Sequence, residues 1–245
     1  MLTETRDAVD GYWADALGCS RAVLRQEGLS VVEGPADEVE LVARGDSVVV
    51  AVGSSRTNVV RDALAGLSAT AAVDADVLTA RFASIGIPVN EVLGPAYLGY
   101  ADDSTLWPVD ASTRPTVEDT VRTLTESDSG AYDRFRAACS DDEWDAGGSD
   151  LVPERTVGRF VDGNLVALAG YTVWDDTLAH IAVVTHPDHR NEGHAQAVVG
   201  RVARVALDDG LVPQYRTLDA WPWSIQAATN VGFERWGTSL LVRFD

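Results

Sequence analysis

The segment IAVVTHPDHRNEGHA, residues 181–195, constrains this chain more than any other stretch. Its first five residues are an apolar, β-branched run that reads as the end of a buried strand. Pro187 has no N–H to give to a sheet and stops that strand. A long helix follows from about Arg190 to Leu207, with Gly210 as its C′ residue. Gly193 and Ala195 are small where the helix opens, so the main chain there is open to close approach. Helix starts leave N–H groups unpaired and carry roughly half a positive charge. Together these features predict an anion cradle of the size a pyrophosphate needs, and Arg190 adds a fixed charge beside it.

The rest of the chain reads as α/β, in two parts. In residues 1–112, a weak helical pattern covers 6–17. Two β-rich runs, Val39–Arg44 and Ser47–Val52, flank a Gly45-Asp46 turn. Helical patterns cover Arg56–Leu67 and Asp74–Ser84, and Val92–Tyr100 is apolar and punctuated by turn residues. No residue set in this part spells chemistry. Residues 108–119 (PVDASTRPTVED) are the expected linker. From 117 to 245 the reading is a strand over Thr120–Thr125, a helix over Ser127–Cys139, a loop over Asp141–Asp150, and a hairpin of Thr156–Val161 and Leu165–Val173. The strand Leu178–Thr185, the long helix, a strand over Gln214–Ala220, a helix over Trp223–Asn230 and a last strand over Leu240–Phe244 complete it.

Arg190-x-x-Gly193-x-Ala195, after a strand and at the opening of a helix, resembles the acyl-CoA loop of the GNAT superfamily of N-acetyltransferases. That loop is usually Arg/Gln-x-x-Gly-x-Gly/Ala, with a proline three residues earlier, as Pro187 is here. Downstream, Trp221-x-x-Ser224 and Gly232-Phe233 are similar to the family's Asn-x-x-Ser…Gly-Phe signature. The resemblance covers about residues 117–245. The whole chain resembles a two-part subgroup, on LGPAYLGY (93–100), VVTHP (183–187) and PQYRTL (213–218). The resemblance implies a mixed central sheet that bulges and splays, with a front unit of α/β or degenerate GNAT-like fold. It implies that backbone groups of Val183, Val184 and Thr185 pair with the pantetheine of acetyl-CoA. The amides of Asn191, Glu192, Gly193, His194, Ala195 and Gln196 would hold its pyrophosphate. A primary amine would then attack the thioester directly, which needs positioning and carbonyl stabilisation but no covalent nucleophile. Ser224 would hold the pantetheine or cap its helix.

Two positions depart from the family. Trp221, followed by Pro222, replaces the usual Asn. Ala228 stands where many members carry the tyrosine that protonates the leaving thiolate. The general acid is therefore open between Tyr215 and no acid at all. Both departures favour the alternative of a non-catalytic acyl-CoA sensor or interaction module. His180, on the strand near the expected splay, is a candidate base for the amine proton, or a structural histidine. Asp219 is a second candidate, for the substrate ammonium or its proton, or else a solvated acid. Trp221 and Trp223 line an acceptor pocket or simply pack. Arg201 and Arg204 meet a nucleotide phosphate or pair with Asp208. Cys19 and Cys139 read as small buried hydrophobes. All four histidines, His180, His186, His189 and His194, lie within 15 residues. Zinc needs convergent ligands, and a Pro turn and a helix start are expected to point these apart. No metal is expected, and a metal hydrolase is the third reading.

Composition bears on partners and surroundings. The 245 residues carry 38 acidic groups against 19 arginines and no lysine, for a net charge of −19. The acids are spread evenly. With no basic cluster, a nucleic-acid partner is not expected. No apolar run reaches membrane-spanning length and the N-terminus lacks signal-peptide features, so no membrane association is expected. Two cysteines 120 residues apart make no disulfide framework and fit a cytoplasmic protein. A homodimer is allowed for. Short carboxylates with no lysine read as adaptation to a salt-rich, halophilic cytoplasm, where self-repulsion is screened. The thermal unfolding midpoint is accordingly predicted to rise between dilute buffer and molar KCl. A midpoint that does not respond to salt contradicts that reading.

Overall fold

The computed structural model describes residues 1–35, 38–107 and 120–244. The expected linker at 108–119, and with it the expected boundary between 1–112 and 117–245, lies outside the described residues. The described chain packs as two compact units. One comprises residues 3–99, 216–225 and 235–245; the other comprises 1–2, 100–215 and 226–234.

Along the first stretch the elements are α1 (Thr3–Ala16), α2 (Arg21–Leu24), β1 (Gly28–Glu33), β2 (Val39–Arg44), β3 (Ser47–Val52), α3 (Thr57–Leu64), α4 (Ala69–Ala72), α5 (Ala75–Ser84) and β4 (Val89–Tyr100). Then follow β5 (Thr120–Thr123), α6 (Ser129–Ala138), α7 (Asp141–Gly147), β6 (Val157–Val161), β7 (Asn164–Trp174) and β8 (Leu178–Thr185). The last are α8 (His194–Asp208), β9 (Val212–Leu218), α9 (Pro222–Val231) and β10 (Glu234–Phe244). The class is the expected one, mixed α/β built on a mixed sheet. Among the described residues, no helix is long and apolar enough to cross a membrane.

In the first unit the strand order is β1-β3-β2-β10-β4. The hairpin β2–β3 turns at Gly45, whose φ of 55° needs a residue without Cβ strain. Every residue of β3 is buried, as a strand covered on both faces must be. Val48, Val50 and Val52 join Leu64 of α3, Leu78 and Phe82 of α5, and Leu240 and Val242 of β10 in one apolar core. The last strand of the chain therefore completes the sheet of this unit, running antiparallel to β2 from Val242↔Val39 to Thr238↔Ala43. Asp10, fully buried, accepts from Arg25, Arg44 and Trp236. Burial alone raises a carboxyl's pKa, yet these donors hold Asp10 below its ordinary value.

In the second unit the order is β9-β8-β7-β6-β5. The two hairpins turn on residues that tolerate left-handed backbone: Asp162-Gly163 between β6 and β7, and Asp175-Asp176 between β7 and β8, all with positive φ. Leu168 and Val184 pack with Phe135 of α6, Leu124, Phe160 and Leu165. Alternate residues Ala167 and Ala169, equally buried, point to the opposite face. Helix α8 packs along β5 to β8, burying Val198, Val199, Val202, Ala203 and Ala206 at helical spacing. It is the crossover that a parallel β8–β9 pair requires.

Three sequence expectations change. Residues 141–147 are a helix, not a loop: Ser140 accepts from the Glu143 amide while Glu143 accepts from the Ser140 amide, a reciprocal capping box. The long helix starts at His194 rather than Arg190, because residues 190–193 form a separate turn. The strand before the loop carries no bulge. Its register with β7 runs unbroken from Trp174↔Leu178 to Ala167↔Thr185, and the irregularity in this sheet lies at Arg159/Phe160 on β6.

Candidate functional site

The sheet is splayed, as expected, but by divergence of one neighbour. Strand β8 pairs in parallel with β9 only from Leu178↔Val212 to Ile181↔Tyr215. Beyond Ile181 it keeps β7 and loses β9. The amide of His186 donates to the Val166 carbonyl, so by strand alternation the backbone groups of Val184 also face β7. Those of Val183 and Thr185 face the open edge. Val184 therefore differs from the expectation: its side chain lies in the core and its main chain belongs to the ladder. Helix α7 ends on the same edge. A Cβ added to Gly147 would stand 2.5 Å from the Val183 carbonyl oxygen, an approach only glycine allows.

The loop after β8 is shaped by three residues. Pro187 opens a single 3-10 turn, Pro187–His189. Asn191 and Gly193 then take left-handed conformations, with φ of 65° and 81°. The second makes Gly193 the N-cap of α8 without any side-chain bond to the helix. Among the described residues, no hydrogen bond uses the amides of Arg190 through Gln196; the first helical donor with an acceptor is Ala197, to the Gly193 carbonyl. A Cβ at Gly193 would meet no atom within 4 Å. The residues thus present a run of unpaired donors at a helix N-terminus, next to open space.

Electrostatically the loop differs from the expectation in one respect. Arg190 is not a spare cation, because its guanidinium donates to the Glu143 carboxylate. Arg190 chiefly, with the Ser140 amide and hydroxyl, holds the Glu143 carboxyl down to about 2. Arg204 is likewise taken, by Asp103. What remains at the cradle is the partial charge of the main chain.

His180 stacks on Trp174, with ring centroids 4.2 Å apart and planes 14° apart. Its Nδ1 lies 3.0 Å from Oε1 of the fully buried Gln214, whose Nε2 donates to the Tyr100 hydroxyl at 2.7 Å. An amide oxygen only accepts, so in this pairing the His180 proton sits on Nδ1. His180, Val183, Thr185 and residues 190–196 all lie in one unit. Asp219 and Ser224 belong to the other unit. Asp219 follows β9 in the turn, its amide donating to the Pro95 carbonyl at 2.9 Å. Its carboxylate accepts from Arg235 at 2.5 Å, and Arg235 in turn lies over the Tyr97 ring. Ser224 stands in the first turn of α9, its amide donating to the Trp221 carbonyl. Ala228 is fully buried and Trp223 is exposed. Two of the four histidines, His189 and His194, do not diverge as expected: their ligand atoms and that of Glu192 lie within 4.8 Å of one another.

Sequence reading missed Glu143, Gly147 and Gln214. Ser140-x-x-Glu143 was the legible signal for the first, as a capping box; nothing local marks the other two.

Residues 121–229 match the model of the acetyltransferase (GNAT) family. Over that span the chain is similar to that family. No curated protein matches the chain in sequence. Among solved structures it is similar to a candidate GNAT-family acetyltransferase from Novosphingobium aromaticivorans, at 22% identity and TM-score 0.44, over 64% of this chain and 66% of that one. It is similar to a GNAT-family acetyltransferase from Colwellia psychrerythraea, at 14% identity and TM-score 0.49, over 66% and 59%. A third is yncA from Salmonella typhimurium, a candidate acetyltransferase solved with its cofactor acetyl-CoA, at 15% identity and TM-score 0.37, over 51% and 92%. This chain spans less than two thirds of the length of the first two.

The Glu143 shift carries a pH prediction. Its folded value is depressed, so the stability it contributes is complete above its ordinary value of 4.5 and is lost as pH falls toward 2. The melting-temperature advantage of the wild type over Glu143→Gln is predicted to be constant above that range and to shrink below it. An advantage that does not vary with pH would leave Glu143 without this ionic role.

Proposed function

We propose that this chain is a cytoplasmic N-acyltransferase that moves an acetyl or short acyl group from acetyl-CoA to a primary amine. Acyl transfer is assigned to residues 117–245, and residues 1–112 are assigned no chemistry. The observation that carries the reading is that, among the described residues, neither the β8 edge at Val183 and Thr185 beyond the β9 pairing nor the amides of 190–196 that follow it along the chain have a hydrogen-bond partner. A pantetheine arm has amides that can pair with a strand edge, and its diphosphate suits the donors of a helix start.

In the step proposed, the amine nitrogen attacks the thioester carbon. The carbon–sulfur bond breaks and the thiolate leaves as CoA. The Val183 or Thr185 N–H steadies the negative charge on the carbonyl oxygen. His180 Nε2 takes the proton that the amine gives up, directly or through a water. Gln214 supports the choice of His180 by holding its tautomer, whereas the Asp219 carboxylate is already engaged by Arg235.

The second reading, an acyl-CoA sensor without catalysis, is favoured by the burial of Ala228 where a general acid is often found. One assay separates the two. Wild-type protein is predicted to release free thiol from acetyl-CoA in the presence of at least one member of a panel of primary amines. His180→Gln should lower kcat about 10²-fold or more, as loss of a general base does, with KM for acetyl-CoA unchanged. Binding of acetyl-CoA without thiol release supports the sensor, and an unaltered kcat removes His180 from the mechanism.

A further inference from the structure

The geometry points to a divalent transition-metal site on the loop, formed by His189, Glu192 and His194. Left-handed backbone at Asn191 and Gly193 brackets Glu192 and folds the chain back on itself. A helix would put only His189 and Glu192 on one face, and a strand only Glu192 and His194; the turn brings all three together. Glu192 Oε2 lies 3.0 Å from His194 Nε2 and 3.9 Å from His189 Nδ1, and the ligand atoms of all three fall within 4.8 Å. A tetrahedral zinc with bonds of about 2.0–2.1 Å sets its donors roughly 3.3 Å apart. Small side-chain rotations bring the three atoms to that spacing.

The donor set narrows the ion. Two imidazoles with one carboxylate suit Zn²⁺, Ni²⁺, Co²⁺ or Cu²⁺, while Mg²⁺ and Ca²⁺ prefer all-oxygen sites. A hydrogen-bonded Glu192–His194 pair forms two of the groups; His189, whose ring packs edge-on against His186 with centroids 5.5 Å apart, approaches the same carboxylate oxygen at 3.9 Å, beyond hydrogen-bonding distance. The helix N-terminus disfavours a cation, but Glu192 supplies the compensating charge at the same spot. His194 is mostly enclosed, its side chain 11% exposed, which limits the freedom lost on binding. Three protein ligands leave at least one position for water or an anion. The site uses side chains only, so it does not rest on the acetyl-CoA reading.

The test is a calorimetric titration of the full, chelator-treated chain with ZnCl₂ in the absence of CoA, with Co²⁺ absorption as a second readout. One equivalent of Zn²⁺ is expected, with visible d–d bands for Co²⁺. Glu192→Gln and the double variant His189→Ala/His194→Ala should each weaken Zn²⁺ at least about tenfold; circular dichroism checks that both remain folded. No stoichiometric binding overturns the proposal. Equal Zn²⁺ affinity in the folded double variant also overturns it, because the ion would then be held by the acidic surface. Acetyl-CoA titrated into the metal-free protein tests the acyltransferase reading separately.

Discussion

Strand β8 holds one neighbour along its whole length and the other along only half of it. The last parallel pair is Ile181↔Tyr215, and from there the edge that faced β9 has no strand beside it. A backbone donor or acceptor buried without a partner costs about 1–3 kcal/mol, and an exposed edge invites unwanted pairing. A ligand with alternating amide groups resolves both problems. The straight register between β7 and β8 matters equally, because it fixes which residues show their main chain to the gap: Val183 and Thr185, not Val184. Pro187 then ends the strand, and the left-handed turn at Gly193 aims the first amides of α8 into the space that follows.

Charge makes this arrangement unusual. The chain carries a net charge of −19 and no lysine, and the arginine nearest the cradle is committed to Glu143. On the proposed reading, a polyanion bound here would rely on main-chain dipoles, which no change of surface composition removes. Long-range repulsion from the acidic surface opposes it. In molar salt the screening length falls to about 3 Å, so that repulsion fades while contacts at hydrogen-bond range survive. An acid-rich surface and an anion-binding helix start are compatible under those conditions. The Arg190–Glu143 pair has a positional role, tying the loop to α7, whose last residue rests on the Val183 carbonyl.

Much of this was legible in the sequence where local chemistry decides. Turn residues placed the β2–β3 and β6–β7 hairpins, and the proline and glycine spacing of 181–195 placed the loop and its donors. What could not be read depends on contacts between distant residues. Asp219 looks like a solvent-facing acid until Arg235 is found on it. Gly147 looks like loop punctuation until its distance to Val183 is known. Gln214 gives no sign of holding His180. The histidine arrangement was misread because left-handed backbone at Asn191, a non-glycine residue, is rarely assumed from sequence. The 141–147 helix is a different case: its capping box, Ser140 with Glu143, stands in the sequence beside the Gly147-Gly148 pair that reads as a loop.

The proposed acyl transfer depends on the amides around Gly193 seating a diphosphate. Calorimetric titration of acetyl-CoA into wild type and Gly193→Trp tests it most directly. The substitution meets no protein atom at Cβ and should cost only the ~1–2 kcal/mol of a left-handed non-glycine residue, so the fold persists while the indole fills the cradle. Saturable binding by the wild type and none by a folded Gly193→Trp is the predicted result. Equal affinity in the two proteins would contradict it.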